Sequence, residues 1–168
     1  MLFKLKIISL LILISISLNT LAQNPEGFSD MAYNMADKKV SIIFEHQVKK
    51  IQQENKKIIF IDTRERKEYE VSHIKGAIYV GYDDFDTTKL KGINKDAIII
   101  AYCSVGYRSG KIGKKLLNLG YTNVFNLFGG IFSWANNNNP IYTDNKEVKK
   151  VHPYNDNWGK WLNTKFWK

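Results

Sequence analysis

The sequence predicts an α/β domain with a mostly parallel central sheet, on two observations. Short continuous apolar runs, Ile58-Ile59-Phe60-Ile61 and Ala97 to Tyr102, have the length of strands and lack the alternation of a half-exposed sheet. Stretches with helical spacing separate these runs, so strands and helices alternate along the chain. In such sheets ligands gather beyond the carboxyl ends of the strands. The residues just after each run are therefore where chemistry is expected.

Met1 to Ala22 has the pattern of a secretory signal peptide: Lys4 and Lys6, an apolar run from Ile7 to Leu18, and small residues at Thr20 and Ala22 before a cleavage point at Gln23. The apolar run is short for a membrane span, and an uncleaved anchor is the alternative reading. Export to a bacterial periplasm or envelope is the expectation. Residues 23–39 carry Pro25, Gly27, Ser29 and Asp30 with no clear period and read as an N-terminal arm. Val40 to Phe44 reads as a short strand. Glu45 to Asn55 reads as a helix with Val48, Ile51 and Phe44 on one face. The strand Ile58 to Ile61 ends in Asp62-Thr63-Arg64-Glu65, and Arg66 to Val71 reads as a short helix. His73 to Ala77 turns into the strand Ile78 to Val80. Gly81 to Asp96 reads as an acidic loop carrying a short helix. The strand Ala97 to Tyr102 leads to Cys103, and Lys111 to Leu119 reads as a helix stopped by Gly120. Asn123 to Leu127 is a further strand, followed by Gly129-Gly130 and a helix that ends before Pro140. Residues 143–168 form a basic tail with Trp158, Trp161, Phe166 and Trp167. It reads either as an arm packing its aromatics on the domain or as a contact for a protein or membrane surface.

The 168 residues suffice for one domain, and a 44% hydrophobic content supports a core. The net charge is +9, nearly all from lysines scattered in pairs, with arginine only at Arg64, Arg66 and Arg108. Nucleic-acid binding needs a clustered footprint, which the sequence lacks, so no nucleic-acid partner is expected. No residue set has metal-ligand spacing, and neither a metal nor a cofactor is expected.

Cys103, the one cysteine, sits where a strand stops and a helix begins. A loop closing onto a helix N-terminus aims several N–H groups and the positive end of the dipole at one spot, which favours a thiolate there. A lone cysteine after an apolar strand is more often a small core residue. The neighbours Ser104, Gly106, Arg108 and Ser109 are loop and anion-site residues instead, and an unpaired thiol is unusual in an exported chain.

Four motifs in order resemble the rhodanese family: Phe60 to Glu65, with its Asp-x-Arg; His73-Ile74-Lys75-Gly76-Ala77; Tyr102 to Ser109; and Leu127-Phe128-Gly129-Gly130-Ile131 with Trp134. The resemblance covers residues 40–142. It implies a three-layer α/β/α fold and a sulfurtransferase in which Cys103 carries sulfane sulfur as a persulfide. The donor would be a small anion such as thiosulfate or a thiol persulfide, and the acceptor a nucleophile. In that reading Ser104, Val105, Gly106, Tyr107 and Arg108 form the active-site loop. Arg108 is the contact for an anionic donor, while Asp62, Arg64 and Ser109 support the loop. Asp62 and Arg64 read more naturally as a buried pair holding the strand end than as catalysts, and His73 as a capping or core histidine. From Cys103 to Arg108 the loop has six residues; phosphatases and arsenate reductases of similar fold have one more, a wider cradle for an oxyanion. Many thiosulfate-using members carry a basic residue where this chain has Ser104, which weighs towards a protein or small-thiol persulfide. A non-catalytic binding module on the same fold is the competing reading.

Overall fold

The computed structural model describes residues 23–167. The signal-peptide expectation for Met1 to Ala22 falls outside the described residues.

Five strands form one sheet: β1 (Ser41–Ile43), β2 (Ile58–Asp62), β3 (Ile78–Tyr79), β4 (Ile98–Tyr102) and β5 (Val124–Leu127). Their order is β1-β5-β4-β2-β3, with every pairing parallel. Strand β4 is therefore central, which is why its sequence is apolar at every position. The two-residue alternation of the strand sends its side chains to opposite cores. Phe60, Ile100 and Tyr102 join one cluster, and Ile61, Ile99 and Ala101 join the other.

Helices cover both faces, giving three layers. The first cluster takes Phe28 and Ala32 of α1 (Phe28–Met35), Val48 of α2 (Glu45–Gln53), and Ile131, Phe132 and Ala135 of α5 (Gly130–Asn136). The second takes Ile112 and Leu116 of α4 (Tyr107–Asn118). Short α3 (Arg66–Val71) follows β2.

Three stretches differ from the sequence expectation. The arm before β1 is not irregular: it contains α1, which buries Phe28 and Ala32, one turn apart. Its Ser, Asp and Asn residues are poor helix formers, and tertiary burial overrides them. Helix α4 starts at Tyr107, four residues earlier than Lys111, so Arg108 and Ser109 lie in its first turn. After Pro140 the chain makes an antiparallel hairpin, β6 (Ile141–Thr143) with β7 (Lys146–Val148). It turns through Asp144 and Asn145, both at positive φ, a conformation these short polar side chains tolerate. Tyr142 and His73 exchange backbone hydrogen bonds of 2.8 Å, tying the hairpin to the domain. The tail adds α6 (Asp156–Gly159) and α7 (Thr164–Trp167). It buries Val151, Leu162 and Phe166 in the first core, with Trp158, Trp161 and Trp167 packed against that core.

Candidate active site

Cys103 leaves the carboxyl end of β4, and the chain turns at once into α4. Gly106 makes this possible: its φ of 111° lies in a region that side-chain-bearing residues rarely adopt. The turn aims the Gly106 N–H at the Cys103 Sγ, 3.1 Å away. The loop's carbonyls point the other way. Those of Cys103 and Ser104 accept the N–H groups of Ile131 and Phe132, at 2.9 and 3.1 Å, from the first turn of α5. Gly130 precedes them, and any Cβ there would overlap the Cys103 carbonyl oxygen. One helix therefore begins under the sulfur while another holds the loop from behind. Asn126 of β5 adds a third tie: it accepts from Ser109 Oγ at 2.7 Å and donates to the Gly106 carbonyl at 2.9 Å.

Arg108 is already engaged. Its two terminal nitrogens donate to Glu68 Oε2 and Oε1 at 2.6 and 2.8 Å, and one also reaches Ser104 Oγ at 3.0 Å. Ser104 Oγ in turn donates to Glu68 Oε1 at 3.0 Å. Burial pushes the Glu68 carboxyl up. The Arg108 guanidinium, helped by Arg64 and the Glu65 N–H, outweighs this and holds it below its ordinary range. Burial works against the Arg108 charge, but Glu68 and the nearby Cys103 sulfur raise its pKa overall.

Asp62 and Arg64 sit behind the loop and do not line the cavity at Cys103. Both side chains are fully buried and paired at 2.7 Å, and Arg64 also donates to the Ser72 carbonyl. The pair therefore clamps the end of β2 to the segment after α3. Burial alone would lower the Arg64 pKa; Asp62 outweighs it and raises it. His73 stacks on Tyr69 with ring centroids 4.0 Å apart and hydrogen-bonds the Tyr69 carbonyl, a packing role.

A cavity of about 390 Å³ opens in front of the sulfur. Its walls bring together Cys103, Ser104, Val105, Tyr107 and Arg108 from the loop with Glu65, Tyr82 and Asp83. Three residues from the two ends of the chain complete it: Met35 of α1, and Tyr154 and Trp158 of the tail. Tyr154 lies against the Arg108 guanidinium, 5.0 Å from ring centroid to carbon.

Sequence reasoning missed Glu68, Asn126 and the three end residues. For Glu68 there was a signal: Glu65 and Glu68 stand three apart at a helix start, a capping-box spacing, and Glu68 does accept the Glu65 N–H at 3.0 Å.

Residues 45–137 match the family model of the Rhodanese-like domain. The chain belongs to that family. Among curated proteins it is similar to the tRNA uridine(34) hydroxylase of Photorhabdus laumondii, 36% identical over 87 residues, covering 49% of this chain and 25% of that protein. The corresponding protein of Yersinia enterocolitica is 35% identical over 82 residues, 46% of this chain and 23% of that one. The chain thus spans about a quarter of the length of these relatives. Among solved structures, a Bacillus halodurans protein, BH2092, superposes with a TM-score of 0.55 at 26% identity, covering 63% of this chain and 79% of that one. A thiosulfate sulfurtransferase of Pseudomonas aeruginosa gives 0.58 at 18% identity over 70% of this chain and 23% of that one, a likeness of fold alone. Met35, Tyr154 and Trp158 all lie outside the segment that matches the family.

Proposed function

We propose that the protein is a sulfurtransferase that carries sulfane sulfur on Cys103. The observation that carries this is the setting of the sulfur: a buried thiol, hydrogen-bonded by the Gly106 N–H beside the first turn of α4, facing a cavity. In the first half-reaction the Cys103 thiolate attacks the sulfane sulfur of a donor. A bond forms between the two sulfurs, the bond to the donor's remaining atoms breaks, and these leave with the electron pair. In the second half, an acceptor nucleophile takes the outer sulfur and Cys103 regains its thiolate. Splitting the transfer in two is covalent catalysis. Fixed dipoles around the loop stabilise negative charge on the sulfur without having to reorganise. From Cys103 to Arg108 the loop is one residue shorter than in phosphatases of similar fold and makes a narrower cradle, which supports sulfur over phosphoryl transfer. With the leader pattern at residues 1–22, the same proposal places this chemistry in an exported protein, in a periplasm or envelope.

The test is intact mass after incubation with thiosulfate, and separately with a small-molecule persulfide, before and after reductant. A reductant-sensitive gain of about 32 Da, one sulfur, is expected from covalent sulfur catalysis, and it should vanish in Cys103→Ser. No gain from a folded protein with a free thiol overturns the proposal in favour of a binding module.

A further inference from the structure

The ends of the chain close the cavity, and their chemistry bears on what enters it. Resting on the sulfur-carrier reading above, we infer that the sulfur donor is an organic persulfide whose carrier is uncharged or cationic, seated against Tyr154 and Trp158. Inorganic thiosulfate and carboxylated persulfides are poor donors on this account.

Charge is the first argument. Among the described residues Arg108 is the only cationic side chain on the cavity wall, and both its terminal nitrogens already donate to Glu68, one of them also to Ser104. The pair is half closed from the other side by the Tyr154 ring. An incoming anion would have to share the remaining N–H groups of a guanidinium whose charge the fully buried Glu68 carboxylate already balances. The attraction left for it is correspondingly weak, because Glu68 cannot give up its counter-charge without being stranded in the interior. The remaining charged groups on the wall are Glu65 and Asp83, both acidic. Lys67 partly offsets Glu65 at 2.9 Å; Asp83 has no ion pair among the described residues. Among the described residues the wall thus offers an incoming anion no cation that is not already paired, and Asp83 disfavours one beside it.

Shape is the second. A cavity of about 390 Å³ exceeds what a small inorganic anion needs and falls in the range of small organic ligand sites. Its other walls are Met35, Val105, Tyr107, Tyr82 and Trp158, a surface for a carbon skeleton. Three wall residues, Met35, Tyr154 and Trp158, lie outside the family-matching segment, so part of this apolar wall comes from beyond it.

The step balances as follows. The Cys103 thiolate attacks the terminal sulfur of R–S–SH. The new sulfur–sulfur bond forms at Cys103, the R–S to terminal-sulfur bond breaks, and R–S⁻ departs with the bonding pair. The products are Cys103–S–SH and R–S⁻; the charge is unchanged, and no oxidant or reductant is consumed.

The experiment compares three donors on the whole protein: the persulfide of N-acetylcysteine, the persulfide of its carboxamide, and thiosulfate. The two persulfides differ by one charge at nearly equal size. Rates of one-sulfur gain at Cys103 are divided by rates for the same donors with a free thiol in solution. The carboxamide is expected to exceed the carboxylate by roughly tenfold, the scale on which a charged cleft alters encounter, with thiosulfate slowest. Asp83→Lys, at an exposed position, should narrow the gap between the two persulfides. Trp158→Ala should lower carboxamide loading relative to thiosulfate. A normalised ratio of one or below in the native protein overturns the inference while leaving the sulfur carrier intact, as does a ratio that neither substitution moves. No sulfur gain from any donor overturns the sulfur-carrier reading itself.

Discussion

At the scale of single residues, Glu68 sets the state of the loop. Its two oxygens take both terminal nitrogens of Arg108 and the hydroxyl of Ser104, so the side chains after the sulfur are held by a carboxylate from another element. Removing one partner of a buried pair strands the other charge. Glu68→Ala should therefore cost about 3 kcal/mol in denaturant unfolding. The dependence on pH has a definite sign. The Glu68 carboxyl is held below its ordinary value by Arg108, against the upward push of burial. Its contribution is complete above the unfolded pKa of about 4.3 and fades as pH falls through the lower folded value. The stability gap between native protein and Glu68→Gln should accordingly close on acidification below about pH 4.3. A gap that is constant with pH would mean that the carboxylate charge is not what stabilises the loop. Cys103→Ser keeps an acceptor for the Gly106 N–H, so it should abolish sulfur gain yet change stability by only about 1 kcal/mol, the worth of one hydrogen bond.

At the scale of elements, the site is the meeting of β4, α4 and the start of α5. Gly130 has a φ of 54°, and a Cβ there would run into the carbonyl oxygens of both Cys103 and Ser104. Both lie on backbone that cannot yield easily. Gly130→Ala should cost about 3 kcal/mol from strain and overpacking together, and slow alkylation or loading of Cys103 by displacing its loop. Unchanged thiol reactivity in that variant would argue against the α5 start as the support of the loop. These elements were readable in the sequence because their signals are local. Unbroken apolar runs mark central strands, and glycines mark the turns at Gly106 and Gly129-Gly130. The Asp62–Arg64 pair was also legible, since two opposite charges at a strand end that both go inside must pair. Helix α1 was not, because Ser29, Asp30 and Asn34 weaken its helical signal; burial of Phe28 and Ala32 overrides them only once the sheet exists. Glu68 reaches Arg108 across 40 residues, and Tyr154 reaches it from the tail, so neither contact has a local trace.

At the scale of the whole molecule, the tail is part of the core. Val151, Leu162 and Phe166 are almost wholly buried. Each such side chain contributes about 1.5–3 kcal/mol on burial, so ending the chain after Lys149 should lose at least about 5 kcal/mol and lower the melting temperature markedly. A shortened protein of native stability would show that the tail rests on the domain without holding it. The two ends of the described chain also meet. Asn163 donates to the Gln23 carbonyl at 3.2 Å across 140 residues, and Phe28 packs edge-on against Trp161 at 6.1 Å. Contacts separated by so much chain repay their closure entropy only when the rest has formed. The wall made by Met35, Tyr154 and Trp158 is therefore expected to form late in folding. Before it forms, the one thiol of the chain would lack that cover. Pulsed alkylation during refolding should find Cys103 protected in a later phase than the amides of β4. That outcome would make the folding chain more open to oxidants at Cys103 than the folded protein.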